Sequence, residues 1–421
     1  MEKTYSERML DALESGNIDE SNRLFGWALR KDDSEILYNL AEELYGLGFD
    51  GKALRIYQKL SQEFPEDGEL YVAMADIEIG QGKNDEALEH LKQVSENSDA
   101  YLSALMVEAD LYQTEELYEA SETKLLTAYE IAPEEPAVII ALGELYNLLQ
   151  DYPKAVKYYL ELIKMGIPSF AKINVVERLA VAYGASGKFE TAIAYFDQIH
   201  DEDLTPDVLF QKGLTYLQLK DTEHAQSTFE RVIEMDSNYA SAYPYLIQTH
   251  ADLEQWSDAL KVAQTGLGVD SYNVDLFLLA ATMAEHQQED ELVQKYLETA
   301  HQVDPENVTV IIRLASFYNR IDQFAKTIDL LDGTEIDDPQ VNWYYGVALW
   351  KSEQFEPAAK HFKDASMELQ DNVEFLKDYY NFLRENGDIE LAVSILRSYI
   401  SLNPTDSEMQ ENLEFYEEQG Y

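Results

Sequence analysis

Four carboxylates recur at one interval along the chain, Glu42, Asp76, Asp110 and Glu144, and four positions before each stands Tyr38, Val72, Met106 or Ile140. An acidic row beside an apolar row suits a basic, partly apolar segment, held by charge and contact rather than transformed. Residue sets for covalent chemistry are missing. The absence of cysteine excludes disulfides, zinc ribbons and thiol catalysis. None of the seven histidines pairs with another four residues away around a glutamate, as a zinc-binding helix requires. The acid pairs Asp201–Asp203 and Asp337–Asp338 read as loop solvation rather than metal sites. The glycines mark turns or close packing and build no phosphate-binding loop. No nucleophile and base can be paired by spacing. The expectation is a non-enzymatic protein with no cofactor and no metal.

Helices must position these rows. The stretch Ile139–Tyr159 reads I-x2-L-G-x2-Y, a turn at Gln150–Pro153, then A-x3-Y. Ile139, Leu142, Gly143, Tyr146, Ala155 and Tyr159 place small residues where two amphipathic helices must touch. The small position returns along the chain as Ala53, Ala87, Ser121, Ala155, Ala192, Ala225, Ala259, Val293, Thr327, Ala358 and Ala392. By subtraction the intervals are 34, 34, 34, 37, 33, 34, 34, 34, 31 and 34 residues. A period of about 34 with this spacing is the tetratricopeptide pattern, and the chain resembles a tetratricopeptide-repeat protein from end to end. In general character it is also similar to the all-repeat, YpiA-like group of low-GC Gram-positive bacteria.

The resemblance implies an all-α, right-handed superhelical solenoid of about twelve helix-turn-helix units plus a C-terminal capping helix, with no room for a separate catalytic domain. The whole of 1–421 is expected to be one solenoid: an N-terminal sub-array over 2–169, a second over 170–406 and the cap over 407–421. The 37-residue interval around Met165–Ala171 is the candidate bend, though a local loop would serve equally. The first unit, about 2–33, is the least regular and reads as a cap. In the tenth unit the second helix must stop early, before a loop at Asp332–Pro339.

Composition narrows the partner. Acidic residues number 81 against 31 basic ones, a formal net charge of −50. Such a field repels phosphate backbones, so nucleic acid is not expected as a ligand, while basic partners and high solubility both follow. No apolar window is long enough to cross a membrane and the first residues are too charged for a signal peptide, so a cytoplasmic location is the expectation.

With the Gly/Ala packing residue of each unit numbered eight, the resemblance assigns positions two, five, nine and twelve to a concave groove that takes partner segments. The early units then present the acidic and apolar rows. The later ones present Phe210, Leu214 and Leu217, then Leu278, Ile312, Trp343, Val347 and Trp350, and finally Lys377, Asn381 and Arg384. Exposed aliphatic and Trp residues mark a contact site; alternatively the helices close over them and they are core. The Lys/Asn clamp with which part of the family grips a C-terminal carboxylate is missing, since Tyr38, Glu42, Val72 and Asp76 stand in its place. Lys377 and Asn381 match one half of it. The expected function is a scaffold or adaptor binding a protein segment in the groove, and the alternative is a receptor for a short signalling peptide.

Overall fold

The computed structural model describes residues 3–334 and 336–421. Met1, Glu2 and Glu335, which fall in the expected first unit and the Asp332–Pro339 loop, lie outside the described residues. Among the described residues twenty-five α-helices follow one another with one short hairpin between them, twelve helix pairs and a terminal helix, so the fold is an all-α solenoid. It divides into two compact units at Asp203/Leu204.

In the first unit α1 (Tyr5–Glu14) pairs with α2 (Ile18–Lys31), α3 (Ser34–Gly46) with α4 (Asp50–Glu63), and α5 (Gly68–Gly80) with α6 (Asn84–Leu91). The series continues with α7 (Tyr101–Thr114) and α8 (Tyr118–Ile131), then α9 (Pro136–Leu148) and α10 (Tyr152–Lys164). After the hairpin of β1 (Ser169–Phe170) and β2 (Ile173–Asn174), α11 (Val175–Ala185) and α12 (Phe189–Phe196) close the unit. The second unit runs through α13 (Pro206–Gln218), α14 (Thr222–Met235), α15 (Ala242–Asp252), α16 (Trp256–Val269), α17 (Val274–His286) and α18 (Asp290–Val303). It ends with α19 (Val308–Arg320), α20 (Phe324–Leu331), α21 (Pro339–Lys351), α22 (Phe355–Ala365), α23 (Val373–Asn386), α24 (Ile389–Leu402) and the cap α25 (Ser407–Glu418). The early stop of α20 at Leu331 is the one that the short interval requires.

The small position decides how close each pair can come. Every residue of the series from Ala53 to Ala392 is fully buried, including Ser121, Val293 and Thr327. On the first helix Gly143, Gly213 or Gly346 meets the aromatic ring four residues after the small position. A Cβ on Gly143 would lie 2.5 Å from Cε1 of Tyr159, and one on Gly213 would lie 2.6 Å from Cε1 of Phe229. Those ring atoms belong to fully buried side chains with no room to retreat.

Each pair also turns in the same way. One residue between its helices takes a left-handed conformation, and the next donates its N–H five residues back, as Phe49 N does to the Leu44 carbonyl at 2.7 Å and Asp151 N to the Tyr146 carbonyl at 2.9 Å. This satisfies carbonyls that the helix end would otherwise leave without partners. The left-handed residue is glycine in some pairs, as at Gly48 with φ +78°, but Glu116, Gln150, Lys220, Glu254, Gln288, Asp322 and Glu353 hold it in the others. A side chain there costs about 1–2 kcal/mol, partly offset by glycine's greater unfolded-state freedom. Gln288→Gly is therefore expected to stabilise the pair α17/α18 by up to about 1 kcal/mol, read as slower hydrogen exchange in those helices. Unchanged or faster exchange would show that the turn carries no strain.

Two details extend the sequence reading. The three extra residues near Met165–Ala171 form a local hairpin inside the first unit, where Ser169 pairs with Asn174, which is the local-loop alternative for that interval; the boundary between the two compact units falls at Asp203/Leu204. The first pair, which reads as a cap in the sequence, turns at Gly16 as the other pairs do. Thr4 caps α1 in a reciprocal box with Glu7, and Asp32 accepts from Ser6 N and Oγ, each at 2.7 Å.

Candidate functional site

A groove of about 710 Å³ opens in the first unit across α3, α5 and the start of α7. Tyr38, Glu42 and Tyr45 come from α3, Glu69, Val72 and Asp76 from α5, and Asp99, Ser103 and Val107 from the segment leading into α7 and from α7 itself. Tyr57 enters from α4. None of its lining residues is basic. Four expected site residues, Tyr38, Glu42, Val72 and Asp76, are thus brought together, with both carboxylates exposed and Tyr38 and Val72 half-buried.

The wall has its own order. Tyr45 donates its hydroxyl to Asp76 Oδ2 at 2.6 Å, and this bond, then burial, pushes its pKa up to about 12. The rings of Tyr38 and Tyr57 meet edge to face with centroids 6.0 Å apart; burial and then the Glu42 carboxylate raise the pKa of Tyr38. A raised tyrosine pKa favours the folded state below the usual tyrosine range, and that advantage is lost only as pH rises through the raised value. Across neutral pH the phenols stay neutral, and the groove presents carboxylates beside aromatic faces.

Further along, the rows change character. Met106 and Asp110 do not line this groove; Asp110 is exposed, while Met106 packs against the core around Ile139 and Leu105. Ile140 is only 6% exposed. Glu144 accepts from Tyr159 Oη at 2.7 Å and from Arg178 Nε at 3.0 Å. The fourth carboxylate is therefore matched within the chain, and the open part of the acidic row is Glu42, Asp76 and Asp110. No pattern within one helix pair discloses this match, because Arg178 stands on the next first helix, 34 residues beyond Glu144.

In the second unit the expected contact zone around the Trp pair is core, a correction to its reading as exposed. Trp343 is 4% and Trp350 5% exposed. Indole rings at these positions are long enough to reach the next first helix, where Trp343 Nε1 donates to Asp378 Oδ2 at 3.0 Å and Trp350 Nε1 to Glu385 Oε2 at 2.8 Å. Both acceptors lie 35 residues beyond their tryptophan, a spacing that could have disclosed the pairing. Val347 packs against the same cluster, and burial raises the pKa of Asp378 despite its bond from Trp343. With Trp27 and Trp256 replaced by Phe, emission from the remaining pair is expected to be strongly blue-shifted; emission typical of water-exposed indole would contradict their burial.

The other late residues are also engaged. Phe210 lies among Phe229, Tyr239 and Tyr245, with centroids 5.8, 5.3 and 5.5 Å away, and half-buried Leu214 packs on the cluster around Phe229. Lys377 Nζ donates to Asp406 Oδ2 at 3.3 Å, and Asp406 in turn caps α25 by accepting from Met409 N. The half-clamp lysine is thus tied to the terminal helix. Asn381 is half-buried, and Arg384 is exposed, 5.7 Å above the ring of Tyr380. Of the acid pairs, Asp338 caps α21 by accepting from Gln340 N and Val341 N. No group of metal-ligating side chains is present among the described residues, and no helix among them is long and apolar enough to cross a membrane.

Comparison with known proteins adds to this geometry. Residues 339–406 match the description "YpiA-like, C-terminal tetratricopeptide repeats", residues 113–167 match "YpiA-like, tetratricopeptide repeats", and residues 206–239 match "Tetratricopeptide repeat". The TPR repeat-containing protein YpiA of Bacillus subtilis (strain 168) is 30% identical over 413 residues, 97% of either chain. Among solved structures, yeast Tom70 is 17% identical with a TM-score of 0.35, covering 98% of this chain and 94% of its own. The Pseudomonas aeruginosa protein PilF is 22% identical with a TM-score of 0.40, covering 49% of this chain and 95% of its own.

Proposed function

The chain belongs to the YpiA-like tetratricopeptide-repeat family, and from that premise we propose that it is a non-enzymatic interaction scaffold that takes a basic, partly apolar protein segment into the groove of its first unit. Tetratricopeptide repeats are a protein-interaction fold in general; the particular groove and the character of its partner are our reading. The observation that carries it is the groove lining, in which Glu42, Glu69, Asp76 and Asp99 stand beside aromatic and aliphatic side chains with no basic residue among them. A cationic side chain entering there meets carboxylates that the chain itself leaves unneutralised, and apolar residues beside it bury surface against Val72 and the tyrosine rings. The groove, unlike the tryptophan region, is open.

Affinity capture tests this when wild type and the Glu42→Lys, Asp76→Lys, Asp110→Lys variant are used side by side at two salt concentrations. A basic partner recovered by wild type, lost from the variant and weakened by salt is the expected result. Identical recovery by both baits would remove the groove from the binding site.

A further inference from the structure

The groove of the first unit holds an empty copy of a seat that the same unit fills elsewhere with its own arginine. In the pair α9/α10, Tyr159 stands four residues after the small residue Ala155 and donates to Glu144, while Arg178 reaches across from the next first helix, α11, and donates to the same Glu144 Oε1. In the pair α3/α4 the corresponding tyrosine is Tyr57, four residues after Ala53, and the corresponding carboxylate is Glu42. The residue in the place of Arg178, two before the packing alanine of the next first helix, is Ala73. No arginine fills this second seat from within the chain.

The side chains differ accordingly. Tyr57 is 2% exposed and lines the groove, and among the described residues its hydroxyl makes no hydrogen bond of the kind that Tyr159 makes to Glu144. That hydroxyl is not sealed from solvent, so it is open to a group that a ligand brings into the groove. Ala73, with no side chain beyond Cβ, lines the same groove and leaves open the space that an arginine at its place would take.

Resting on the groove reading above, we propose that the partner segment supplies this arginine. Its guanidinium donates to the Glu42 carboxylate, with the Tyr57 hydroxyl placed to donate to the same group, in the arrangement that Arg178 and Tyr159 make at Glu144. A guanidinium suits the seat better than an ammonium, because its planar fork donates in-plane to a carboxylate while its face lies on an aromatic ring. The Tyr38 ring, edge to face with Tyr57, supplies such a face. The occupant is an extended peptide rather than a lone cation, since the groove continues from this seat across α5 to Ser103 and Val107 of α7.

The test uses the full chain and three labelled alanine–leucine peptides, acetylated and amidated, that carry one central arginine, lysine or citrulline. Fluorescence anisotropy at low salt is expected to give the arginine peptide an affinity at least about tenfold above that of the citrulline peptide, with lysine between them. Tyr57→Phe removes a hydroxyl that no other residue uses, so the fold should persist while the arginine preference falls severalfold. Ala73→Arg should fill the seat from within and abolish the preference, whereas Ala73→Gln, of similar bulk, should retain part of it. Equal binding of the arginine and citrulline peptides to wild type, or a preference untouched by both Tyr57→Phe and Ala73→Arg, would overturn the proposal. If binding shows no arginine preference but is lost on reversing Glu42, Asp76 and Asp110, the seat is wrong and the groove stands. If the arginine peptide fails to bind, or binds the reversed variant equally well, the groove reading falls with the seat.

Discussion

Trp350→Ala is expected to destabilise the region around α21–α24 by about 3–5 kcal/mol, the range for truncating a buried tryptophan. Three losses contribute. The indole is 5% exposed and packs edge-on to Phe362 and Phe382, with centroids 6.3 and 6.1 Å away, so removing it leaves a cavity between two neighbouring pairs. Its Nε1 bond to Glu385 disappears, and Lys351 Nζ, 3.5 Å from the ring centroid, loses its cation–π contact. Because each repeat is stabilised chiefly by its neighbours, the effect should be strongest locally. Hydrogen exchange in α21–α24 should accelerate by about a hundredfold or more. Trp350→Phe keeps most of the volume and drops only the N–H, and should cost much less. Exchange unchanged in the alanine variant would mean that this region is not the packed core described here.

The second large effect is on binding. Converting Glu42, Asp76 and Asp110 to lysine shifts the local charge by two units at each position. Opposite charges in contact in water are worth about 1 kcal/mol per pair, and more where the groove partly excludes solvent. Against a segment with several cations, the triple variant should weaken binding by at least about a hundredfold at low salt, and wild-type binding should itself weaken as salt shortens the screening length. All three side chains are exposed, so helicity should be unchanged. Asp76 also accepts the Tyr45 hydroxyl. Asp76→Asn, which keeps an acceptor and drops the charge, separates loss of that bond from loss of the field. Binding retained by the triple variant would leave the row as a solvated surface.

How far these features can be read in advance depends on whether they are local. The period, the small-residue series and the Gly143–Tyr159 contact are written in residue size and spacing within one pair, and the helix pairs follow them. The left-handed turns are legible where glycine holds them and hidden where Lys220, Glu254 or Gln288 does, since the backbone bonds of the turn impose that conformation whatever the side chain. The hairpin at Ser169–Asn174 left only a lengthened interval in the sequence. For the site, the row positions Tyr38, Glu42, Val72 and Asp76 were readable because one helix face follows one register. What they face was not readable: Glu69 and Ser103 come from the following repeats, and Arg178 neutralises Glu144 from the next first helix. The acceptors of the tryptophan N–H groups, Asp378 and Glu385, left only a shared 35-residue spacing as a sign. Such cross-repeat pairs decide whether a residue at a groove position is free.

The claim that a partner segment lies in the first unit's groove is tested most directly by where it cross-links. A photoreactive benzoylphenylalanine replaces Ser103, an exposed residue of the groove lining, or Glu119, an exposed residue of α8 in the same repeat. Each protein is irradiated with a labelled peptide rich in arginine and leucine. Labelling from position 103, absent from position 119 and abolished by reversing Glu42, Asp76 and Asp110, is the predicted result. Labelling from position 119 instead, or labelling from position 103 that survives the reversal, would contradict it.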